Sequence, residues 1–295
     1  MRFATFLHES ALSVAVEASD GTQLDLTAAG ITDDLISLIA RWSEVVAKLD
    51  DLVANPADCP RIAAGALRMA PIPKPVRNIF CVGKNYREHA KEFEKSGFDG
   101  GATGGNEVPD FPIIFSKATT SVIGPDAPVP SSSDPYGTVD YEGELGVVIG
   151  LGGKGITKAA AAQHIFGYTI INDVTAREVQ KLHKQWVLGK GADGFCPMGP
   201  VVLTADEVGD VAALRLQTTV NGEIRQDALI ADLIFDIPTL IETISRYITL
   251  LPGDIIATGT PAGVGIGFNP PRFLSAGDQM VVSISGIGEL HNPVA

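Results

Sequence analysis

The chain has 295 residues, 45% of them hydrophobic and 19% charged, enough to bury a sizeable core in one large domain or in a small one followed by a larger one. A formal net charge of −13 opposes binding to nucleic acid or anionic membranes, and no apolar run reaches the roughly 18 residues that a membrane span needs. The 32 glycines and 19 prolines favour short strands joined by many turns.

In chain order, Met1 to Glu9 lacks the apolar stretch of a signal peptide. With only three cysteines (Cys59, Cys81 and Cys196), the chain is expected in a reducing cytoplasm. Residues 1–72 read as a small α+β leading domain. Phe3–Phe6 and Leu12–Val16 are predicted strands, Ser19-Asp20-Gly21 is a turn, and Asp33–Leu49 carries helical apolar spacing. The Pro-rich stretch Met69–Pro75 marks the boundary with a second domain over 73–295.

The second domain opens on a predicted buried strand, Asn78–Val82. His89 and Glu92 follow three residues apart, neighbours if that turn is helical, and otherwise an ordinary surface contact. Gly97, Gly100, Gly101, Gly104 and Gly105 then suggest a lid. Phe111–Lys117 is strand-like. Next comes Val139-Asp140-Tyr141-Glu142-Gly143-Glu144 and an apolar run to Ile149, read as one strand. Alternation would aim Glu142 and Glu144 into one space, where like charges raise each other's pKa unless a cation neutralises them. Taken alone, the pair reads as a wet strand face, with Asp140 solvated at its entrance.

Gly150–Gly155 lacks a phosphate-loop ending and reads as a turn. Ile156–His164 is predicted helical and Ile165–Asp173 a strand. Thr175 and Glu178 form a predicted capping box, with Arg177 and Gln180 on one face of the new helix. Lys190 stands between glycines. Leu214–Val220, a hairpin at Asn221-Gly222, a helix over Ile237–Tyr247, a turn at Leu251–Asp254 and a final strand over Gln279–Ile284 complete the chain.

Several of these stretches together resemble the fumarylacetoacetate hydrolase family. They are Val82-Gly83-Lys84-Asn85-Tyr86 with His89 and Glu92, Asp140–Leu145, Ile171–Arg177, Gly189-Lys190, and Leu251–Gly265. They fall in the family's order over roughly residues 73 to 295. The resemblance implies a mainly β fold with some α, a mixed β-roll catalytic domain, a homodimer, and a Mg²⁺ or Mn²⁺ ion held by Glu142, Glu144 and Asp173. Three hard oxygen donors suit such an ion better than zinc.

A small anionic 2-oxo acid is the implied partner, with no nucleic acid or membrane. Lys190, Arg177 and Gln180 would add donors around its oxo group. Thr260 and the Gly259 backbone would hold its carboxylate, and His89 backed by Glu92 would activate water. Without the resemblance, Lys190 could be a solvated loop cation and Arg177 a surface helix cation. The leading expectation is a hydrolase cleaving a C–C bond of acylpyruvates or 2,4-dioxo acids in aromatic catabolism. Alternatives are an oxaloacetate decarboxylase or 2-hydroxy-dienoate isomerase or hydratase at the same site, and a catalytically silent 2-oxo-acid binding protein. Specificity is expected from Phe93–Asp110 and from Phe268–Phe273.

Overall fold

Strands outnumber helices along this chain. The computed structural model describes residues 1–98 and 108–295. Among these the strands are β1 (Arg2–His8), β2 (Ala11–Glu17), β3 (Gln23–Asp25), β4 (Leu67–Met69), β5 (Ile79–Gly83), β6 (Ile113–Lys117), β7 (Val122–Ile123), β8 (Val139–Asp140), β9 (Gly143–Ile149), β10 (Ile165–Asn172), β11 (Thr175–Ala176), β12 (Cys196–Thr204), β13 (Arg215–Val220), β14 (Glu223–Leu229), β15 (Ile255–Ala257), β16 (Gln279–Ile284) and β17 (Gly288–Pro293). The helices are α1 (Leu35–Ala40), α2 (Trp42–Ala54), α3 (Arg87–Lys95), α4 (Arg177–His183), α5 (Val187–Lys190), α6 (Ala205–Val208) and α7 (Ile237–Tyr247).

One mixed sheet runs β3-β2-β1-β12-β10-β9-β15-β5-β6, with β4 on β1 and β7 on β12. Most neighbours are antiparallel, but β15–β5 and β12–β7 are parallel. A second sheet, β14-β13-β16-β17, packs on one face of the first. The fold is therefore mainly β with a mixed sheet, as expected.

The large sheet is covered on both faces, and β9 shows why. Leu145, Val147 and Ile149 face a core shared with Leu216, Val282 and α7 residues Leu240 and Ile244. Val148 faces the opposite core, with Phe3, Val14, Leu38 and Leu49. A strand buried on both faces needs an apolar run, and β9 is one. The leading 72 residues share this arrangement: Arg2 and Phe3 of β1 pair with Leu203 and Val202 of β12, so the sheet continues across the Pro-rich connector.

Several local expectations change. The helix predicted over Asp33–Leu49 is two helices broken at Arg41, whose guanidinium donates to the Ile31 carbonyl at 2.7 Å. Ile156–His164 forms only a 3₁₀ turn over Ala161–His164, and the Gly155 and Ile156 amides ahead of it donate to Ser245 of α7. A further strand, β17, follows Gln279–Ile284. Its alternation is masked by Asn292, a buried amide that donates to the Gly124 and Ala127 carbonyls.

Candidate active site

The site forms at one end of the large sheet, where β10 and β15 finish beside the start of β9. The single strand predicted over Val139–Ile149 breaks at Tyr141-Glu142. There the Glu142 amide donates to Asn172 Oδ1 at 2.9 Å, and its carbonyl accepts the Asp173 amide at 2.8 Å. That break sets Glu142 beside the end of β10.

Glu142, Glu144 and Asp173 converge. Each offers a carboxylate oxygen within 4.8 Å of the other two, and all three are buried. Lys190 Nζ donates to Glu142 Oε2 at 2.6 Å and Asp173 Oδ2 at 2.8 Å. Lys117, the last residue of β6, donates to Asp173 Oδ1 at 2.6 Å, to the Val174 carbonyl at 2.9 Å and to the Lys190 carbonyl. It is fully buried; in the sequence it matches a position of the resembled family only weakly, at the end of a predicted strand.

Arg177 is fully buried as well, not a surface cation. Its Nη1 lies 2.6 Å from Glu142 Oε1 and 3.4 Å from Gln180 Oε1, while Nε donates to Asp140 Oδ2 at 2.9 Å. Asp140 is not solvated: it is completely buried and also accepts the amides of Tyr141, Gly265 and Ile266. The predicted capping box is absent too. Thr175 lies in β11 and donates to the Asp173 carbonyl, and Thr138, distant in sequence, accepts the Glu178 amide at 3.0 Å. A β-bridge to Asp140 outcompeted the local cap.

His89 and Glu92 do share one face of α3. His89 Nδ1 stands 3.3 Å from Glu92 Oε2, and the same carboxylate accepts the Gly263 amide at 3.0 and 3.2 Å. His89, Lys84, Phe93, Glu142, Arg177, Gln180, Trp186, Lys190 and Thr260 line one narrow pocket. The Gly259 amide is taken by Glu144 Oε2 at 2.8 Å. The Thr260 hydroxyl donates to the Gly143 carbonyl and accepts from Gln226. Residues 99–107 of the predicted lid, Phe93–Asp110, lie outside the described residues; Phe268–Phe273 borders a separate groove with α3.

Electrostatics separate the acids. Burial works against ionising Glu142, but Lys190 and Arg177 outweigh it and bring its pKa down to about 2. Glu144 is pushed well above the usual carboxylate range by burial and by the charges of Asp173 and Glu142. Burial likewise raises the thiols of Cys81 and Cys196, the latter to about 12, so neither is a thiolate at neutral pH. Among the described residues, Lys117, Arg177 and Lys190 are hydrogen-bonded to the buried carboxylates of Asp140, Glu142 and Asp173, Glu144 accepts the Gly259 amide, and Lys84 is a fourth buried cation lining the pocket. A divalent cation fits this donor set: it would bring positive charge beside three converging hard oxygens.

The fumarylacetoacetate hydrolase C-terminal family model matches residues 78–295. The chain belongs to the fumarylacetoacetate hydrolase family. Among its relatives, oxaloacetate tautomerase YisK of Bacillus subtilis is 48% identical over 225 residues, covering 76% of this chain and 72% of that protein. A fumarylacetoacetate hydrolase from the psychrophile Exiguobacterium antarcticum superposes with a TM-score of 0.84 at 41% identity, over 100% of this chain and 99% of that one. Maleylpyruvate hydrolase from Sphingobium sp. SYK-6, solved with manganese(II) and pyruvate, superposes at 0.78 with 30% identity over the same shares. Members of the fumarylacetoacetate hydrolase family thus include hydrolases and a tautomerase.

Proposed function

We propose that this protein is a Mg²⁺- or Mn²⁺-dependent enzyme that interconverts the keto and enol forms of a short 2-oxo acid, with oxaloacetate as the leading substrate. The observation that carries this reading is the shared pocket of a carboxylate-backed histidine and an acidic triad already gripping a lysine. The 48% identity to an oxaloacetate tautomerase supports it. In the cytoplasm the protein would act as a homodimer on this small anion, without nucleic acid or membrane.

Glu142, Glu144 and Asp173 would hold the ion, which when bound supplies Lewis-acid polarisation of the 2-oxo group and makes the C3 protons acidic. With Nδ1–H donated to Glu92, His89 keeps a lone pair on Nε2. That nitrogen takes a proton from C3 and returns it to the C2 oxygen, so one proton moves and no bond to carbon other than C–H breaks. Lys190, with Gln180, steadies the negative charge that develops on the C2 oxygen, and Arg177 holds Glu142 and Gln180 in place. Phe93, Trp186 and Phe115 pack along the pocket wall and lower its local dielectric.

A second reading uses the same residues for hydrolysis. If His89 instead takes its proton from water, the hydroxide adds to C4 of an acylpyruvate. The C3–C4 bond then breaks and His89 gives its proton to C3, so that pyruvate and a carboxylic acid leave. The likeness to maleylpyruvate hydrolase favours keeping it.

The test measures enol-to-keto conversion of oxaloacetate by ultraviolet absorbance, and pyruvate release from acetylpyruvate and fumarylpyruvate, with Mn²⁺ or Mg²⁺. Tautomerisation lost in EDTA, in Glu142→Ala and in His89→Ala is the expected result. Pyruvate release without faster tautomerisation would instead establish the hydrolase. Tautomerisation that persists through EDTA and both substitutions would refute the metal-dependent reading.

A further inference from the structure

Asp140 is a charged side chain with no role in the chemistry above, yet it is completely buried beside the site. Its Oδ1 accepts the Tyr141 amide at 2.9 Å and the Gly265 amide at 2.6 Å. Its Oδ2 accepts the Ile266 amide at 3.2 Å and Arg177 Nε at 2.9 Å. Arg177 is thereby held at two points, Nε by Asp140 and Nη1 by Glu142 and Gln180. The remaining nitrogen, Nη2, is buried without a hydrogen-bond partner among the described residues, on a residue that lines the pocket. Leaving a guanidinium N–H unsatisfied in the interior is costly, so such a group marks a place where a ligand acceptor belongs.

We infer that Asp140 is a positioning residue that fixes the Arg177 fork so that Nη2 receives the distal carboxylate of a 2-oxo dicarboxylic acid. This rests on the proposed 2-oxo-acid site and narrows it to diacids. The chelating end of the substrate lies at the acidic triad, where Lys190 bridges Glu142 and Asp173. A second carboxylate needs a separate donor in the same pocket, and a planar guanidinium suits it better than an ammonium. The carboxylate of Asp140 also ties Arg177 to the Gly265-Ile266 backbone. The diacid end and the loop that carries Thr260 and Gly263 are therefore set by one side chain. Asp140 touches no substrate itself and acts only through Arg177.

Malate and lactate share a chelating 2-hydroxy-carboxylate end and differ in the distal carboxylate. Calorimetric titration of Mn²⁺-loaded protein with each therefore isolates that contact. Wild-type protein is expected to prefer malate. In Asp140→Asn and Arg177→Lys the malate affinity should fall about tenfold or more, the scale of one lost hydrogen bond between charged groups, with lactate nearly unchanged. The KM for oxaloacetate should rise by a similar factor, and the double variant should be no worse than either single one. Equal loss for malate and lactate, or additive losses in the double variant, would overturn the inference. Should Asp140→Asn fail to fold, Arg177→Lys keeps a cation beside Asp140 while deleting Nη2, and must show the same diacid-selective loss by itself. Failure of the tautomerase reading appears separately, as malate and lactate binding without oxaloacetate turnover. Wild-type protein that binds neither anion would sink the 2-oxo-acid site and this inference with it.

Discussion

Glu144 Oε2 accepts the Gly259 amide at 2.8 Å, and that backbone donor stands where a buried carboxylate would ordinarily have a cation. Its two carboxylate neighbours, Asp173 and Glu142, are engaged by lysines, and Glu142 by Arg177 as well. Glu144 is thus the acid that most needs an added positive charge.

The metal-free protein should therefore lose stability as pH rises. Glu144 has a native pKa well above its unfolded value of 4.5, so the native state holds a proton that the unfolded state has released. Stability contributed this way is complete below about 4.5 and drains as pH climbs towards the native value. Glu142 has the opposite sign: its contribution is present above 4.5 and is lost as pH falls towards about 2. In EDTA, the Tm of Glu144→Gln should fall less between pH 5 and pH 8 than that of wild type. Mn²⁺ at a hundred times its Kd should raise wild-type stability by about 2.7 kcal/mol and Glu144→Gln by much less. Equal Mn²⁺ shifts in the two proteins would remove Glu144 from the ligand set.

His89→Ala should lower kcat about 10²- to 10⁴-fold while leaving the Mn²⁺-induced Tm rise intact, because the imidazole handles a proton and not the ion. Glu92→Gln keeps an acceptor for the Gly263 amide but weakens the hold on Nδ1, and should lose less activity. Steady-state rates beside metal titrations separate the two effects. A lost Mn²⁺ response in His89→Ala would count against this division of labour.

Lys117→Met should destabilise the metal-free protein by about 3–5 kcal/mol. Lys117 and Asp173 are both wholly buried, and removing one partner of such a pair strands the other charge. Urea denaturation measures the loss. A change below about 1 kcal/mol would mean that Lys190 alone neutralises Asp173.

Gly263→Ala should harm both folding and rate. Gly263 has φ +102°, and a Cβ there would run into the Arg225 carbonyl oxygen. Its amide also anchors Glu92. We expect at least about 1 kcal/mol lost in the urea transition, and a reduced kcat beyond what instability explains. An unchanged kcat in the folded variant would show that the Glu92–Gly263 bond does not orient His89.

Much of this protein was legible in one dimension because local physics decided it. The apolar run after Glu144 could only be a strand covered on both sides. Asn221-Gly222, with φ +52° and +78°, could only close a tight hairpin. Asp236 as N-cap with Pro238 at the second helical position began α7 where its apolar spacing began. The acids at Glu142 and Glu144 and the dyad of His89 and Glu92 were visible as spacing, and their assembly with Asp173 followed from the family's order of motifs.

Distance along the chain hid the rest. Asp140 read as a wet residue because the Gly265 and Ile266 amides that bury it lie more than 120 positions away. Thr175 read as a cap because Thr138, which took that role, is no sequence neighbour. Lys117 offered only a weak family match, and its partner Asp173 lies 56 positions away. Spacing in sequence determined which side chains can share a face, whereas only the tertiary structure decided which buried charges meet, because a charge inside a protein is set by whatever partner reaches it through space.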